Sequence, residues 1–183
     1  MATKITRDFQ SALPIGWSEL ARDLETKHWA MFKSKFGFRP GTKPDAWPAI
    51  TEPSPSMTFD LSADDVRTRS SFAARVDAVN AEALRCFVTD FTDDPTFVVL
   101  DWQHMCYRFD ANAHATAEDA EWRVPVYPNG DYYIFAQDDF QEGTFGHPWE
   151  QTLCVYGPRM VTTLGRTLAT WLPTLRVDGH RTD

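Results

Sequence analysis

The chain has 183 residues, a formal net charge of −8, 43% hydrophobic and 14% aromatic residues, which together fit one domain with a sizeable buried core. The acidic balance argues against nucleic acid as a partner, because binding to a phosphate backbone depends on clustered lysine and arginine. We also expect no membrane partner, because the sequence lacks both an apolar run of the roughly 18 residues that a membrane span needs and the apolar core of a secretory signal.

The N-terminal part is predicted to contain a helix and a proline-rich segment. Residues 1–15 are polar and unpatterned, which predicts a flexible arm. From Gly16 onward, apolar residues recur at three- and four-residue steps, which predicts a helix that Gly37 ends in a left-handed conformation. Residues 38–56 contain five prolines and cannot form a regular helix or a central strand. Because this segment is also apolar, we expect it to wrap around the domain rather than to link two domains.

A strand, a second helix and a buried strand are predicted next. Residues 57–61 (MTFDL) are a short strand candidate. Ser62 and Asp65 resemble a capping box, which starts a helix whose apolar face continues to about Phe91. The sequence TFVVL at 96–100 is β-branched and apolar throughout, as in a strand buried on both faces.

The C-terminal third is predicted to be mostly β-structure. Pro128-Asn129-Gly130-Asp131 lies between two aromatic, branched runs, and Asn-Gly is a strong hairpin signal because both residues tolerate positive φ. Asp131 is interpreted as a residue of that turn. The other predicted elements are hairpin strands at 122–127 and 132–136, a loop at 138–149, a strand at 151–156, a last helix from Pro158 to Leu172 and a flexible tail at 176–183.

These elements predict an α+β fold in a single domain that spans residues 16–175. Helices and hairpin-linked strands are segregated along the chain, unlike the regular alternation of a doubly wound fold. We therefore expect a largely antiparallel sheet of about 4–6 strands packed against three main helices.

The loop sequence FGHPWE, residues 145–150, is the first candidate for chemistry. A histidine at 147, held beside the carboxylate of Glu150, could act as a general acid or base, because imidazole titrates near neutral pH. The alternative is structural, with Trp149 in the core and His147 bonded to the backbone. The structural role is favoured on the sequence alone, because oriented histidines also occur in purely structural networks.

The sequence DWQHMCYRF, residues 101–109, is the second candidate. On a regular strand, Trp102 and His104 share one face and Asp101 lies on the other, so an Asp101–His104 pair is not expected without a bulge. His104 could meet His147 if the loop folds over that face, and with nearby carboxylates they would suffice for a divalent metal. The spacing is not a metal-binding pattern, so we predict no metal site and no cofactor.

Three stretches together resemble the bacterial family DUF2716, a domain of unknown function. They are VLDWQH, the PNGDYYIF hairpin and GTFGHPWEQTLCVYG, and the N-terminal FGFRP fits as well. The likeness covers residues 17–172. It implies a small, single-domain intracellular protein without an established activity, and it assigns no catalytic residues.

Two functional hypotheses follow. The first is a binding module with an aromatic, acidic-rimmed pocket for a small molecule or a partner protein, as in self-resistance or immunity. The alternative is a small hydrolase or lyase that uses His147, with or without a metal. A protein–protein adaptor is a third possibility. The predicted ligand-binding residues are Trp102, His104, Tyr132, Trp149 and Asp101, and the catalytic residues of the alternative are His147 and Glu150.

Three cysteines without metal-type spacing indicate reduced thiols and a cytoplasmic location.

Overall fold

The computed structural model of the protein describes residues 12–62 and 69–182, and within them nine strands form one antiparallel sheet. The strands are β1 (Trp17–Glu19), β2 (Ser56–Asp60), β3 (Thr96–Asp101), β4 (Tyr107–Asp110), β5 (Tyr133–Ala136), β6 (Gly143–His147), β7 (Thr152–Tyr156), β8 (Thr174–Val177) and β9 (His180–Arg181). Their order across the sheet is β1-β4-β3-β5-β6-β7-β2-β8-β9.

Helices accompany the sheet along the described chain. They are α1 (Arg22–Phe36), a 3-10 turn (Pro44–Ala46), α2 (Arg69–Asp90), α3 (Ala111–Ala115) and a C-terminal helix made of α4 (Pro158–Met160), a π-helical segment (Val161–Gly165) and α5 (Arg166–Leu168). None of the described helices is long and apolar enough to cross a membrane.

Both faces of the sheet are covered. One core cluster joins α2 and the C-terminal helix to the sheet through residues such as Phe87, Leu164 and Phe135. The other joins α1 to the opposite face, where Phe32 packs in the same cluster as Ile134. Because neighbouring residues of a strand point to opposite faces, every residue of β6 and β7 is buried. In β7 this burial agrees with the largely apolar sequence TLCVY.

The α+β class, the antiparallel sheet and the single domain are confirmed, but the predicted element counts are wrong. The sheet has nine strands rather than 4–6, and the described chain has four helices rather than three when the C-terminal helix is taken as continuous. Besides β6, which is described below, the additional strands are β1, β8 and β9, and these three are two to four residues long. Such short strands do not contain enough residues to display a period-two pattern.

The predicted hairpin at Asn129-Gly130 is also wrong. Residues 122–127 form no strand, and β5 pairs with β3 and β6 instead. The reason lies in α2, because the side-chain oxygen of Asn80 accepts the backbone N–H groups of Val126 and Tyr127 at 2.9 and 3.1 Å. A helix side chain thus accepts the backbone N–H groups that would otherwise donate to the carbonyl oxygens of a partner strand.

The segment predicted as a loop at 138–149 contains a central strand, β6. Its two glycines lie where neighbouring groups leave no room for a side chain. A Cβ at Gly143 would overlap the carbonyl oxygen of Phe135, and a Cβ at Gly146 would lie 2.8 Å from the Cβ of Pro128. The glycines therefore permit close packing within a strand rather than a bend.

Gly143→Ala is expected to lower the free energy of unfolding by about 1–3 kcal/mol, the range for overpacking. Besides Phe135, the added Cβ would crowd the Tyr156 hydroxyl oxygen at 2.7 Å. Gly165→Ala is the matched control, because its nearest contact is the flexible Met57 sulfur at 3.3 Å. Urea denaturation measures both variants, and equal losses of stability would contradict the steric explanation.

Within the segment predicted as a flexible tail, 176–183, strands β8 and β9 extend the sheet as far as Arg181. Asp178 and Gly179 have φ values of 52° and 78° and connect β8 to β9 in an Asp-Gly turn. The Asp178 carboxylate also accepts the backbone N–H of Ser56 at 2.9 Å. The tail is thus held by a hairpin and by a side-chain bond to β2.

Several other boundaries agree with the sequence. Gly37 ends α1 with φ 58°, and Gly157 precedes Pro158 at the start of α4. In the wrapping segment at 38–56, Phe38 and Ile50 are buried in the cluster on the α1 side. Most of the predicted N-terminal arm and the Asp65 partner of the capping box lie outside the described residues.

Candidate functional site

A tight turn between β3 and β4 brings Asp101 and His104 together. The strand predicted over 101–109 ends at Asp101, and Gln103 takes φ 64°, which reverses the chain before β4. His104 Nδ1 consequently lies 3.1 Å from Asp101 Oδ1. The expectation that these two side chains face opposite sides of a strand is therefore wrong, because the strand does not continue past residue 101.

Asp131 completes a three-residue cluster. Its Oδ2 lies 3.6 Å from His104 Nδ1, while its Oδ1 accepts the Tyr132 backbone N–H at 2.8 Å. The side chains of Asp101 and Asp131 are each 15% exposed, and that of His104 is 63% exposed. Burial raises the pKa of both carboxyl groups, and His104 opposes that rise. We call these three residues the Asp–His–Asp cluster.

An open pocket of about 610 Å³ lies beside this cluster, between α1 and the β3–β4 turn. Two half-buried indoles, Trp29 and Trp102, form part of its wall. The ammonium nitrogen of Lys33 lies 5.8 Å from the centroid of the Trp29 ring. We call this cavity the indole pocket, and its lining residues are Glu25, Thr26, Trp29, Ala30, Lys33, Trp102, Gln103 and His104.

The other aromatic residues predicted to bind ligand lie behind the pocket. Tyr132 is fully buried, with ring centroids 5.5 Å from Trp102 and 5.0 Å from Trp149. Its hydroxyl donates to the Gly41 carbonyl at 2.8 Å and accepts the Gly41 N–H at 3.0 Å. Tyr132 thus anchors the wrapping segment and supports Trp102 from inside, whereas Trp102 itself reaches the pocket.

His147 is fully buried in β6. Its Nδ1 accepts the backbone N–H of Glu150 at 3.0 Å, and its Nε2 lies 3.4 Å from the Tyr132 hydroxyl oxygen. Burial lowers the pKa of His147 to about 4, so the imidazole is neutral near pH 7. This geometry matches the structural role that the sequence favours for His147.

The carboxylate of Glu150 is engaged in a buried ion cluster. Arg176 donates to both of its oxygens, at 2.7 and 2.9 Å, and Thr152 donates to it at 2.9 Å. Arg176 also pairs with Glu52 at 2.9 Å. Burial tends to raise the pKa of Glu150, but the arginine outweighs that effect and holds the pKa below its usual value. We call Glu52, Glu150 and Arg176 the buried ion cluster.

The predicted site residues thus fall into two groups rather than one. Trp102 and His104 line the indole pocket and Asp101 contacts His104, whereas His147 and Glu150 belong to an interior network. The two histidines do not share a partner residue in the part of the chain that the structure describes.

Sequence reasoning missed other residues of these groups. Trp29 looks like one member of an aromatic helix, and Asp131 looks like a turn residue. Arg176 lies in the segment predicted as a tail. The helical spacing of Trp29 and Lys33, four residues apart on one face, is a signal that could have located the pocket wall.

Comparison with known proteins agrees with the resemblance in the sequence. A family model described as "Protein of unknown function (DUF2716)" matches residues 19–161. The "Uncharacterized protein YxiI" of Bacillus subtilis (strain 168) is 29% identical over 157 residues, which cover 82% of this chain and 93% of that protein. No solved structure gives a significant match. The matched region contains the indole pocket and the Asp–His–Asp cluster but ends before β8.

Proposed function

Because the chain belongs to the DUF2716 family, which is described as one of unknown function, we propose from its geometry that it is a binding module for a cationic small molecule. The observation that carries this proposal is the pair of half-buried indoles, Trp29 and Trp102, on one open pocket. Lys33 already places an ammonium group over the Trp29 ring, as a ligand cation would.

The charge around the pocket supports a cationic ligand. Glu25 lines it directly, and Asp101 and Asp131 contact the lining residue His104. The protein as a whole has a formal net charge of −8, which favours the approach of cations. Lys33 is the opposing charge in the lining, and we propose that a bound cation displaces its ammonium group from Trp29.

Acid–base catalysis by His147 and Glu150 has weaker support. His147 lies in the interior, and Glu150 is occupied by Arg176. A general base must reach the proton that it abstracts, and neither group borders the indole pocket. We further propose a cytoplasmic location, which is supported by the free, buried thiols of Cys86, Cys106 and Cys154.

Calorimetric titration with choline is the test of the pocket. Its neutral isostere 3,3-dimethylbutan-1-ol has the same shape without the charge, so we expect choline to bind and the isostere to bind at least several-fold more weakly. Trp102→Ala and Trp29→Ala are each expected to weaken choline binding about 2- to 30-fold, the equivalent of 0.5–2 kcal/mol for one cation–π contact. Lys33→Gln is expected to strengthen it, because a competing cation is removed.

Trp171→Ala is the matched control, since this indole is 42% exposed near the C-terminal helix and does not line the pocket. Its choline affinity should equal that of the wild type. Equal binding of choline and the neutral isostere, or an equal loss in the Trp171 variant, would contradict the proposal.

A further inference from the structure

The Asp–His–Asp cluster has the atoms and the spacing of a metal site. Asp101, His104 and Asp131 each offer one ligand atom, and these three atoms lie within 4.8 Å of one another. We propose that the cluster binds a divalent transition-metal ion such as Zn²⁺ or Mn²⁺ through one imidazole nitrogen and two carboxylate oxygens. The titration that tests this proposal contains no organic ligand, so its failure and the failure of the proposed function are distinguishable.

The distances are close to those of a coordinated ion. Ligand atoms about 2.0–2.1 Å from a tetrahedral metal lie about 3.4 Å from one another. His104 Nδ1 lies 3.1 Å from Asp101 Oδ1 and 3.6 Å from Asp131 Oδ2. Two of the three separations thus match a coordinated ion, and the third, between the two carboxylate oxygens, is within 4.8 Å and would close towards about 3.4 Å around an ion.

The charges in the cluster also favour a dication. Two carboxylates with 15% exposure each approach the same imidazole nitrogen, which carries at most one proton and can donate to only one of them. Close like charges with limited solvation repel each other. A dication would interact favourably with both carboxylates at once.

Backbone contacts hold the ligand atoms in place. The Tyr132 N–H occupies Asp131 Oδ1, so Oδ2 is the oxygen directed to His104. The His104 backbone N–H donates to the Asp101 carbonyl at 3.2 Å and fixes the turn. Such supporting bonds orient the first ligands of metal sites and strengthen binding.

The ligand types define the class of ion. A nitrogen ligand together with two carboxylates suits zinc, manganese or iron, whereas calcium is held by oxygen ligands alone. Three protein ligands leave at least one coordination position for water or a small molecule. Because His104 also lines the indole pocket, the ion would lie at the border of that pocket.

Calorimetric titration of the chelator-treated, full-length chain with ZnCl₂ and MnCl₂ tests the proposal. We expect one equivalent of metal to bind the wild type. Loss of a supporting contact lowers metal affinity about 10- to 100-fold. His104→Ala and Asp131→Asn each remove a direct ligand, so we expect each to lower the affinity by more than that. The 63% exposure of the His104 side chain means that His104→Ala should leave the melting temperature of the metal-free protein nearly unchanged.

His180→Ala and Asp139→Asn are the matched controls, because they remove an exposed histidine of β9 and an exposed carboxylate of the β5–β6 loop. Both should keep the wild-type affinity within about twofold, since surface changes away from a site have small effects. The proposal is overturned if neither metal binds at millimolar concentration. It is equally overturned if the cluster variants bind as tightly as the wild type, or if the controls lose as much affinity as the cluster variants.

Discussion

Arg176→Met is expected to lower the free energy of unfolding by about 3–5 kcal/mol, the cost of breaking a buried ion pair from one side. The side chains of Arg176, Glu52 and Glu150 are only 8%, 2% and 8% exposed. Without the guanidinium, two buried carboxylates would remain with no cation within salt-bridge distance among the described residues. Urea denaturation at pH 7.5 measures the loss.

The bidentate geometry of the pair gives this prediction its controls. Arg176→Lys keeps the charge but cannot form the two parallel bonds to Glu150, so its stability should lie between those of the wild type and the methionine variant. Arg181→Met removes an exposed arginine of β9 and should change stability by less than about 0.5 kcal/mol. A similar loss for Arg176→Met and Arg181→Met would show that the buried ion cluster contributes no stability.

Glu52→Gln tests how much each carboxylate of the buried ion cluster contributes to stability. Glu52 Oε2 has no hydrogen-bond partner among residues 12–62 and 69–182, whereas Glu150 accepts bonds on both oxygens. The Glu52 variant leaves a neutral Arg176–Glu150 pair, so we expect a much smaller loss than for Arg176→Met.

Acidification from pH 7.5 to 5 is expected to lower the free energy of unfolding of the wild type by about 2 kcal/mol through His147. The full effect of the pKa difference is about 3 kcal/mol, because a tenfold difference in proton affinity is worth about 1.4 kcal/mol. Burial lowers the pKa of this histidine from 6.5 to about 4. In the unfolded chain the imidazole takes up a proton as the pH falls through 6.5, while the folded protein does not until about pH 4. The unfolded state therefore binds more protons in this window, and stability decreases as the pH falls.

The surroundings of His147 explain why its neutral form is held. The negative Glu150 carboxylate favours protonation, but burial and the positive Arg176 oppose it. The backbone N–H of Glu150 already occupies Nδ1, which must accept in the neutral tautomer. The rings of Trp47 and Tyr132 pack edge-on against the imidazole.

His147→Asn tests this prediction, because the amide oxygen can still accept the Glu150 N–H while the titrating group is lost. We expect lower stability at pH 7.5 from lost packing, together with a smaller decrease between pH 7.5 and 5 than in the wild type. Some decrease should remain, since burial also lowers the pKa of His114. His180→Asn, at an exposed position, should keep the full wild-type pH dependence, and an unchanged slope in the His147 variant would rule out this histidine as the source.

Local chemistry was sufficient to predict part of this fold. TFVVL is apolar throughout and forms β3, MTFDL overlaps β2, and Gly37 ends α1 where a left-handed residue was expected. Each of these signals is contained within a few residues. The arrangement of the whole sheet has no such local signal. The glycines of β6, for example, resemble those of a loop unless the positions of Phe135 and Pro128 are known.

The candidate site shows the same limit. The turn after Asp101 contains neither glycine nor proline, and Gln103 adopts a positive φ that its residue type rarely takes. The sequence therefore carries no turn signal at the point where Asp101 and His104 meet. Arg176 is bonded to Glu52, 124 residues earlier, and such distant pairings have no local signature.

The place of β2 within the sheet has a consequence for the order of folding. Both of its neighbours come late in the chain, since Met57 pairs with Val155 of β7 and with Val177 of β8. During synthesis, β2 leaves the ribosome long before either neighbour exists, so its two hydrogen-bonding edges stay unpaired until β7 and β8 have emerged. The sheet can close only after translation has passed residue 177, and such distant pairings are characteristic of slow folding.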